Sequence, residues 1–222
     1  MKRLNIFVDE IGEFGFGKNA SELYGVSFTF HDQDDDITEE LNNLNDRLNK
    51  IGYTNMIHMA SLVAKKDEYK NMDISQRKSI FNSIYQFSRK INVKYCTIII
   101  NKKYSDTKEK LRKELQYKIN EMLKDIEKFF NKFDNVVIYY DNGQDTLAII
   151  LDSIFSSLNG YEHRIDFDHK EKRLFQVSDM LTFVDKYDYK YKNKLTFTKN
   201  EKYFFSNEDI RKILKELNKK RI

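Results

Sequence analysis

Two short apolar runs along the chain each end in acidic residues just before a glycine. The first covers residues 4–8 (Leu-Asn-Ile-Phe-Val) and leads into Asp9 and Glu10, and the second covers residues 136–140 (Val-Val-Ile-Tyr-Tyr) and leads into Asp141. Apolar runs of four to eight residues bounded by turn residues are typical of buried β-strands. A charge at the tip of a buried strand is costly unless something compensates it. The pattern therefore predicts two buried strands whose acidic ends require a partner.

The remaining hydrophobic pattern predicts an α/β protein. Further strands are expected at 23–30, where the chain returns from a glycine-rich turn, at 93–100 and at 162–168. Apolar stripes with helical spacing predict helices at 37–51, 74–91, 106–133, 147–158 (ended by Gly160), 174–184 and 207–222. We interpret the long helix 106–133 as a cover for the sheet, with a dimerisation helix as the alternative.

Composition narrows the class of protein. The chain has 222 residues, 40% of them hydrophobic and 14% aromatic, which predicts a single folded domain over 1–222 rather than a disordered chain. No apolar run approaches the roughly 18 residues of a membrane span, and the N-terminus lacks a signal-peptide pattern, so a cytoplasmic protein with no membrane partner is expected. The single cysteine, Cys96, excludes an internal disulfide and a cysteine-rich zinc site.

Charge is distributed unevenly along the chain. The net charge is +4, but residues 1–60 carry five Lys and Arg against eleven Asp and Glu, a balance of −6, so the remainder carries +10. Such a division is expected if carboxylates hold a metal while lysines bind a polyanion such as nucleic acid. Helical proteins with solvated lysines show the same asymmetry.

A third informative carboxylate is Asp179, which lies between Phe175 and Phe183 on the apolar stripe of its predicted helix. If the strands that end in Asp9 and Asp141 are parallel neighbours, both carboxylates emerge at the carboxyl edge of the sheet, where ligands collect in α/β proteins. A helix across that edge would add Asp179. Three carboxylates this close stay ionised only with cations between them, and hard oxygen ligands select Mg²⁺ or Mn²⁺.

These residues resemble a known family. Residues 7–12 (Phe-Val-Asp-Glu-Ile-Gly) resemble the Asp-Glu-Ser-Gly opening of the domain-of-unknown-function family numbered 3800, whose proteins look like members of the ribonuclease H-like superfamily. Residues 57–60 (Ile-His-Met-Ala) are similar to its mid-chain histidine signature. Asp168 and residues 176–181 (Gln-Val-Ser-Asp-Met-Leu) resemble its closing segment, and Asp141 stands at the equivalent strand end.

The resemblance covers most of the chain and implies both a fold and a site. The implied fold is a ribonuclease H-like mixed β-sheet of about five strands flanked by helices, with helical insertions and a C-terminal helix. The implied site is an acidic two-metal centre. The chain departs from the family where Ile11 and His169 replace serines and Ser178 replaces an alanine. No carboxylate is lost, but the hydrogen bonding around the ligands must differ.

The predicted metal ligands, which are also the catalytic candidates, are Asp9, Asp141 and Asp179, joined by Glu10 or Glu13. The simpler interpretation of Asp9 is a strand-end residue that caps the following turn. Glu10 should point to the opposite face from Asp9 if the strand continues, so it is a ligand only if the chain bends.

Further residues are candidates for contacts with a substrate. His58 is either a general base or a half-buried structural histidine. Gln176 would contact a nucleotide or satisfy nearby backbone. Tyr189, Lys190 and Lys192 belong to a tyrosine- and lysine-rich tail suited to stacking on bases and pairing with phosphates, or to a solvated loop.

Two functions follow from these observations. The first is a nuclease dependent on Mg²⁺ or Mn²⁺ that hydrolyses phosphodiester bonds of RNA or DNA with two metal ions. The second is a non-catalytic ribonuclease H-like binding or scaffold protein of a phage or defence system.

Overall fold

Five strands form one open mixed sheet in the computed structural model, which describes residues 1–17, 20–158 and 160–222. The strands are β1 (Arg3–Ile11), β2 (Leu23–Asp32), β3 (Val93–Asn101), β4 (Asn135–Tyr139) and β5 (Glu162–Arg164). Their order is β3-β2-β1-β4-β5. β2 is antiparallel to both of its neighbours, while β1, β4 and β5 run parallel to one another. The predicted α/β class with about five strands in a mixed sheet is confirmed.

The register between β1 and β4 brings the two acidic strand ends to the same level. Phe7 pairs with Tyr139, and each earlier residue of β1 pairs with a residue of β4 at the same offset. β4 ends at Tyr139, and the same offset continued by two positions would align Asp141 with Asp9. The prediction that the two strands are parallel neighbours is therefore confirmed.

Nine helices among the described residues cover the sheet on both faces. They are α1 (Thr38–Ile51), α2 (Met59–Ala64), α3 (Ile74–Lys90), α4 (Lys108–Asp125), α5 (Glu127–Phe130), α6 (Asp145–Phe155), α7 (His169–Lys192), α8 (Lys199–Phe204) and α9 (Asn207–Leu217). Because successive side chains of a strand point to opposite faces, Phe7 and Ile11 of β1 belong to one hydrophobic core, with α1, α2, α3, α7, α8 and α9. Leu4, Ile6 and Val8 belong to the other core, with α4, α5 and α6.

Helix α7 lies directly on the sheet and begins with a strong start signal. The Asp168 side chain accepts a hydrogen bond from the backbone N–H of Glu171, whose own side chain bonds back to Asp168, a capping box. In mid-helix, the Ser178 hydroxyl donates to the carbonyl oxygens of Phe7 (3.0 Å) and Ser27 (3.2 Å). Small side chains at this contact let the helix approach the strands closely, which brings the next residue to the sheet edge.

Two predicted helices are shorter than the hydrophobic pattern indicates. The helix expected over 106–133 is interrupted at Ile126, where α4 ends and the single-turn α5 begins. The apolar face of α4 is buried in the core, which confirms the prediction that this helix covers the sheet. The helix expected to end at Gly160 ends at Phe155 instead, since Ser156 already caps it. Neighbouring Asn159 lies outside the described residues.

Three predictions near the C-terminus are also corrected. The strand expected over 162–168 covers only 162–164, because the capping box of α7 takes over at Asp168. The helix expected over 174–184 extends from 169 to 192, so the tyrosine- and lysine-rich segment is helical rather than a loop. Tyr187 explains this, since it is buried against Phe197 and Phe205. The final helix ends at Leu217, before a short 3-10 turn.

None of the helices described in the structure combines the length and the apolar character needed to cross a lipid bilayer.

Candidate metal centre

Asp9, near the end of β1, is the centre of an acidic cluster at the carboxyl edge of the sheet. Burial raises the pKa of Asp9 well above its usual range, and the charges of Asp179, Glu10 and Asp141 raise it further. Of the interactions that act on Asp9, a hydrogen bond from the backbone N–H of Glu10 is the one that lowers its pKa. The four carboxylates predicted as ligands, from three distant parts of the chain, therefore lie near enough for the other three to act on the charge of Asp9.

Asp179 reaches the cluster from α7 and is held by the first residue of α2. Its Oδ2 accepts a hydrogen bond from the backbone N–H of Met59 at 2.9 Å. Burial raises the pKa of Asp179 to about 6, although the Met59 bond and the nearby His58 lower it; Asp141 raises it. His58 itself is exposed rather than half-buried, so its ring is open to solvent next to the carboxylate.

Glu10 lies on the opposite face of β1 from Asp9, as the sequence predicts for a strand that continues. β1 runs on to Ile11 without the bend that would turn Glu10 toward Asp9. Glu10 can therefore serve as a ligand only from the side of Asp141, whose Oδ1 lies near Glu10 Oε1 at Gly143. Glu10 Oε1 accepts a hydrogen bond from Gln144 Nε2 (3.1 Å), while Oε2 is buried with no partner among the residues that the structure describes. Burial raises the pKa of Glu10, and Asp141 adds to that effect. Asp141, exposed beyond the end of β4, thus influences carboxylates on both faces.

Gly143 keeps a small space open between two of these acids. Its backbone N–H donates to Asp141 Oδ1 at 3.0 Å. A Cβ added at this position would lie 2.9 Å from Glu10 Oε1 and 3.3 Å from Asp141 Oδ1. Both oxygens therefore face the same cradle, and any side chain at position 143 would intrude on it.

Gln144 is a residue of the site that sequence reasoning missed. Its Nε2 donates to Glu10 Oε1 and to the carbonyl oxygen of Gly12 (2.9 Å), and its Oε1 accepts from the backbone N–H of Phe14 (3.2 Å). Its own N–H donates to the Tyr140 hydroxyl at 2.8 Å. Gln144 thus fixes the turn after β1 to the loop after β4. A glutamine in a polar loop carries no pattern that announces this role.

The predicted substrate-contact residues occupy different places. Gln176 is buried two turns into α7, where its Oε1 accepts from Arg173 and its Nε2 contacts the sulfur of Met56. It lies one turn from Asp179, as predicted.

Tyr189, Lys190 and Lys192 are not brought to the carboxylates. They follow Asp179 by ten or more residues, about 15 Å along the helix axis. Lys190 is engaged with Glu201 through both carboxylate oxygens (3.0 and 2.9 Å), and Lys192 pairs with Asp188.

Glu13 is also directed away from the acidic cluster. Its Oε1 accepts from the backbone N–H of Ser21 at 2.7 Å and lies 3.5 Å from the Nζ of buried Lys102. These contacts hold the turn after β1, so Glu13 serves that turn rather than the four-carboxylate group.

The donor set has the chemistry that Mg²⁺ and Mn²⁺ require, namely several carboxylate oxygens without competing protein cations. None of Asp9, Glu10, Asp141 and Asp179 forms an ion pair with a Lys or Arg of the described chain, and Glu10 Oε2 is buried and unpartnered there. Within residues 1–17, 20–158 and 160–222, no three His, Cys, Asp or Glu side chains already surround a single point as a finished metal site. Small side-chain movements would therefore accompany cation binding.

Gly143→Ala is expected to weaken Mn²⁺ binding about tenfold or more, because the added methyl group would fill the cradle between Glu10 and Asp141. Isothermal titration calorimetry measures the effect. Gly17→Ala is the matched control, since nothing lies within 4 Å of a Cβ added at that loop glycine. Equal Mn²⁺ affinity in both variants would contradict the assignment of the cradle.

Comparison with known proteins yields no relative that assigns this site. No protein-family model matches the chain, and no curated protein matches its sequence.

Proposed function

We propose that this protein is a metal-dependent nuclease that hydrolyses phosphodiester bonds with two Mg²⁺ or Mn²⁺ ions bound by Asp9, Glu10, Asp141 and Asp179. The observation that carries the proposal is the convergence of these carboxylates at one sheet edge without a compensating cation in the described chain. Their mutual charge and burial raise the pKa of Asp9, and burial raises that of Asp179. Folding thus maintains a repulsion that bound divalent cations would relieve.

We infer that the fold is ribonuclease H-like. A mixed sheet of five strands, flanked by helices on both faces, supports this inference. So does the position of the acids, which follow β1 and β4 at the same level of the sheet. The family resemblance of the segments around Asp9 and Asp179 points in the same direction.

The residues have separate roles in the proposed reaction. Asp9, near the end of β1, and Asp141, just past the end of β4, would hold the cations from the sheet, while Asp179 and Glu10 would complete the site from the two faces. Bound divalent cations supply an activated water and stabilise the leaving oxygen. The exposed ring of His58, beside Asp179, can take or give a proton at the substrate.

Nucleic acid is the proposed substrate because phosphodiesters combine a hydrolysable bond with dense negative charge. The excess of +10 in residues 61–222 supports binding of a polyanion around the acidic edge. A phosphate would otherwise be repelled by four carboxylates, so cations at that edge are needed for it to approach.

A non-catalytic binding or scaffold protein of a phage or defence system is the second candidate. It is favoured by the finding that the described residues hold no finished group of three metal ligands. Such a protein would bind a strand or a partner without cutting, and its acids would serve packing or solubility.

A panel of substrates separates the two functions. Single-stranded DNA, duplex DNA, RNA and an RNA–DNA hybrid are incubated with the protein and Mn²⁺, with EDTA in a parallel series. The nuclease is expected to cleave at least one substrate in Mn²⁺ and none in EDTA. Absence of cleavage of all four at stoichiometric protein would contradict the nuclease and favour the scaffold.

A further inference from the structure

Arg173 carries a charge that the protein buries but does not neutralise. Its side chain projects from α7 and the residue is only 6% exposed. No Asp or Glu of the described chain lies within ion-pair distance of it. Burial lowers its pKa, and no carboxylate is among the groups that oppose this effect. Burying an arginine charge without an anionic partner lowers the stability of the folded state.

The guanidinium of Arg173 also retains unused donors. Nη1 donates to Gln176 Oε1 at 2.9 Å and more weakly to the carbonyl oxygen of Asn55 at 3.4 Å. Nε is buried with no partner in the described part of the chain. Nη2 has no protein partner there either and is not a fully buried atom. Nη2 can therefore donate a hydrogen bond to an anion, whereas Nε is too buried to reach one.

Arg77 is a second deeply buried arginine whose Nε lacks a partner in the described chain, but its charge is stabilised in two ways. It is 3% exposed, and its Nη1 donates to the carbonyl oxygens of Leu62 (2.8 Å) and Val63 (3.2 Å) at the C-terminal end of α2. Its guanidinium also lies 5.5 Å from the ring centre of Phe204. The negative end of a helix and an aromatic face thus stabilise the Arg77 charge, whereas Arg173 has neither among the described residues.

Arg173 is aligned with the acidic cluster along one face of α7. Residues 173, 176 and 179 succeed one another at intervals of three, and each contacts the same extended segment, 55–59, through Asn55, Met56 and Met59 respectively. Arg173 therefore lies about 9 Å from Asp179 along the helix axis. One wall, formed by α7 and segment 55–59, connects the uncompensated cation to the carboxylates.

We propose that Arg173 binds a phosphate of the nucleic-acid strand that neighbours the phosphate at the acidic cluster. The inference rests on the proposed function. A nucleic-acid strand with one phosphate at Asp179 would place its neighbouring phosphate at Arg173. The donor to that phosphate is Nη2, the nitrogen of Arg173 that is neither fully buried nor bonded within the described chain. The contact would fix the direction of the strand along segment 55–59.

The salt dependence of strand binding tests this role. Affinity for a single-stranded oligonucleotide, as DNA and as RNA, is measured at several NaCl concentrations with a fixed concentration of Ca²⁺. Arg173→Met retains an unbranched apolar side chain and removes the charge. Its plot of log affinity against log salt is expected to be less steep by about 0.7, the value for one phosphate contact on a single strand. Affinity at low salt is expected to fall about tenfold.

Arg77→Met is the matched control, and Arg173→Lys tests whether the positive charge alone suffices. Arg77→Met is expected to lower the melting temperature while leaving the slope unchanged. Arg173→Lys should restore the slope but only part of the affinity. If Arg173→Met changes the melting temperature and neither slope nor affinity, or if the wild type binds no oligonucleotide, the inference is overturned.

The same proteins distinguish this inference from the proposed function. Cleavage by the wild type in Mn²⁺ combined with an unchanged slope in Arg173→Met would leave the nuclease standing and remove the Arg173 site. A reduced slope in Arg173→Met combined with no cleavage by the wild type would support the phosphate site and remove the nuclease.

Discussion

Asp9→Asn is expected to abolish Mn²⁺ binding detectable by calorimetry and to lower the rate of cleavage on the order of 10³-fold. The substitution retains the shape of the side chain and removes the one charge that acts together with Asp179, Glu10 and Asp141. A bound cation contributes several kcal/mol of charge stabilisation in phosphodiester hydrolysis, and each 1.4 kcal/mol or so is a factor of about ten in rate. Asp141→Asn should have an effect of similar size.

Asp145→Asn is the matched control for this experiment. Asp145 is exposed in the first turn of α6, four residues after Asp141, and bears the same charge near the same edge. This variant is expected to bind Mn²⁺ and to cleave like the wild type. Wild-type affinity for Mn²⁺ in both Asp9→Asn and Asp141→Asn would contradict the proposed metal centre.

Asp179→Asn is expected to stabilise the metal-free protein at pH 7.5 by about 1–3 kcal/mol and to have little effect near pH 4. Folding raises the pKa of Asp179 from 3.8 to about 6. The folded state therefore binds the proton of Asp179 more tightly than the unfolded state does. Ionisation of Asp179 then lowers the free energy of unfolding, and this loss develops between pH 4 and 6 and is complete above pH 6. Two pKa units correspond to roughly 3 kcal/mol, an upper limit for a partly exposed group. The amide oxygen that the substitution introduces can still accept the Met59 N–H.

Urea unfolding with EDTA, at several pH values, measures this difference. With saturating Mn²⁺ the sign should reverse, because the wild type gains stability from binding and the variant does not. Glu201→Gln is the control of opposite sign: burial opposes its ionisation, but the backbone N–H of Thr198 and the Lys190 ammonium (3.0 and 2.9 Å) hold the pKa of Glu201 below its usual value, so its loss should destabilise the protein at pH 7.5. A stability difference for Asp179→Asn that does not vary with pH would contradict the argument.

The strands and the three aspartates were predictable because they depend on short-range patterns. An apolar run such as 136–140 can be buried only as a strand of this length, and the acid that follows it must then emerge at a sheet edge. Asp179 could be recognised because two phenylalanines surround it at helical spacing. Glu10 was correctly placed on the opposite face of β1, since that follows from strand geometry alone.

Residues whose role depends on distant contacts could not be predicted. Gln144 and Arg173 act through bonds to segments about 130 and 118 residues away in sequence. The length of α7 escaped prediction because its last turns alternate Tyr and Lys, which lacks a helical stripe. Contacts of Tyr187 with later segments bury that end of the helix. The hydrophobic pattern of a short segment contains no information on its contacts with residues distant in sequence.

Asp9 and Glu10 are consecutive in sequence yet anchored in different hydrophobic cores, one beneath α7 and the other beneath α6. Loosening of either layer would displace one carboxylate relative to its neighbour. The affinity of the proposed metal centre for Mn²⁺ would therefore depend on the integrity of both layers. A partially melted chain, with only one layer intact, would lose its cations before it loses most of its secondary structure.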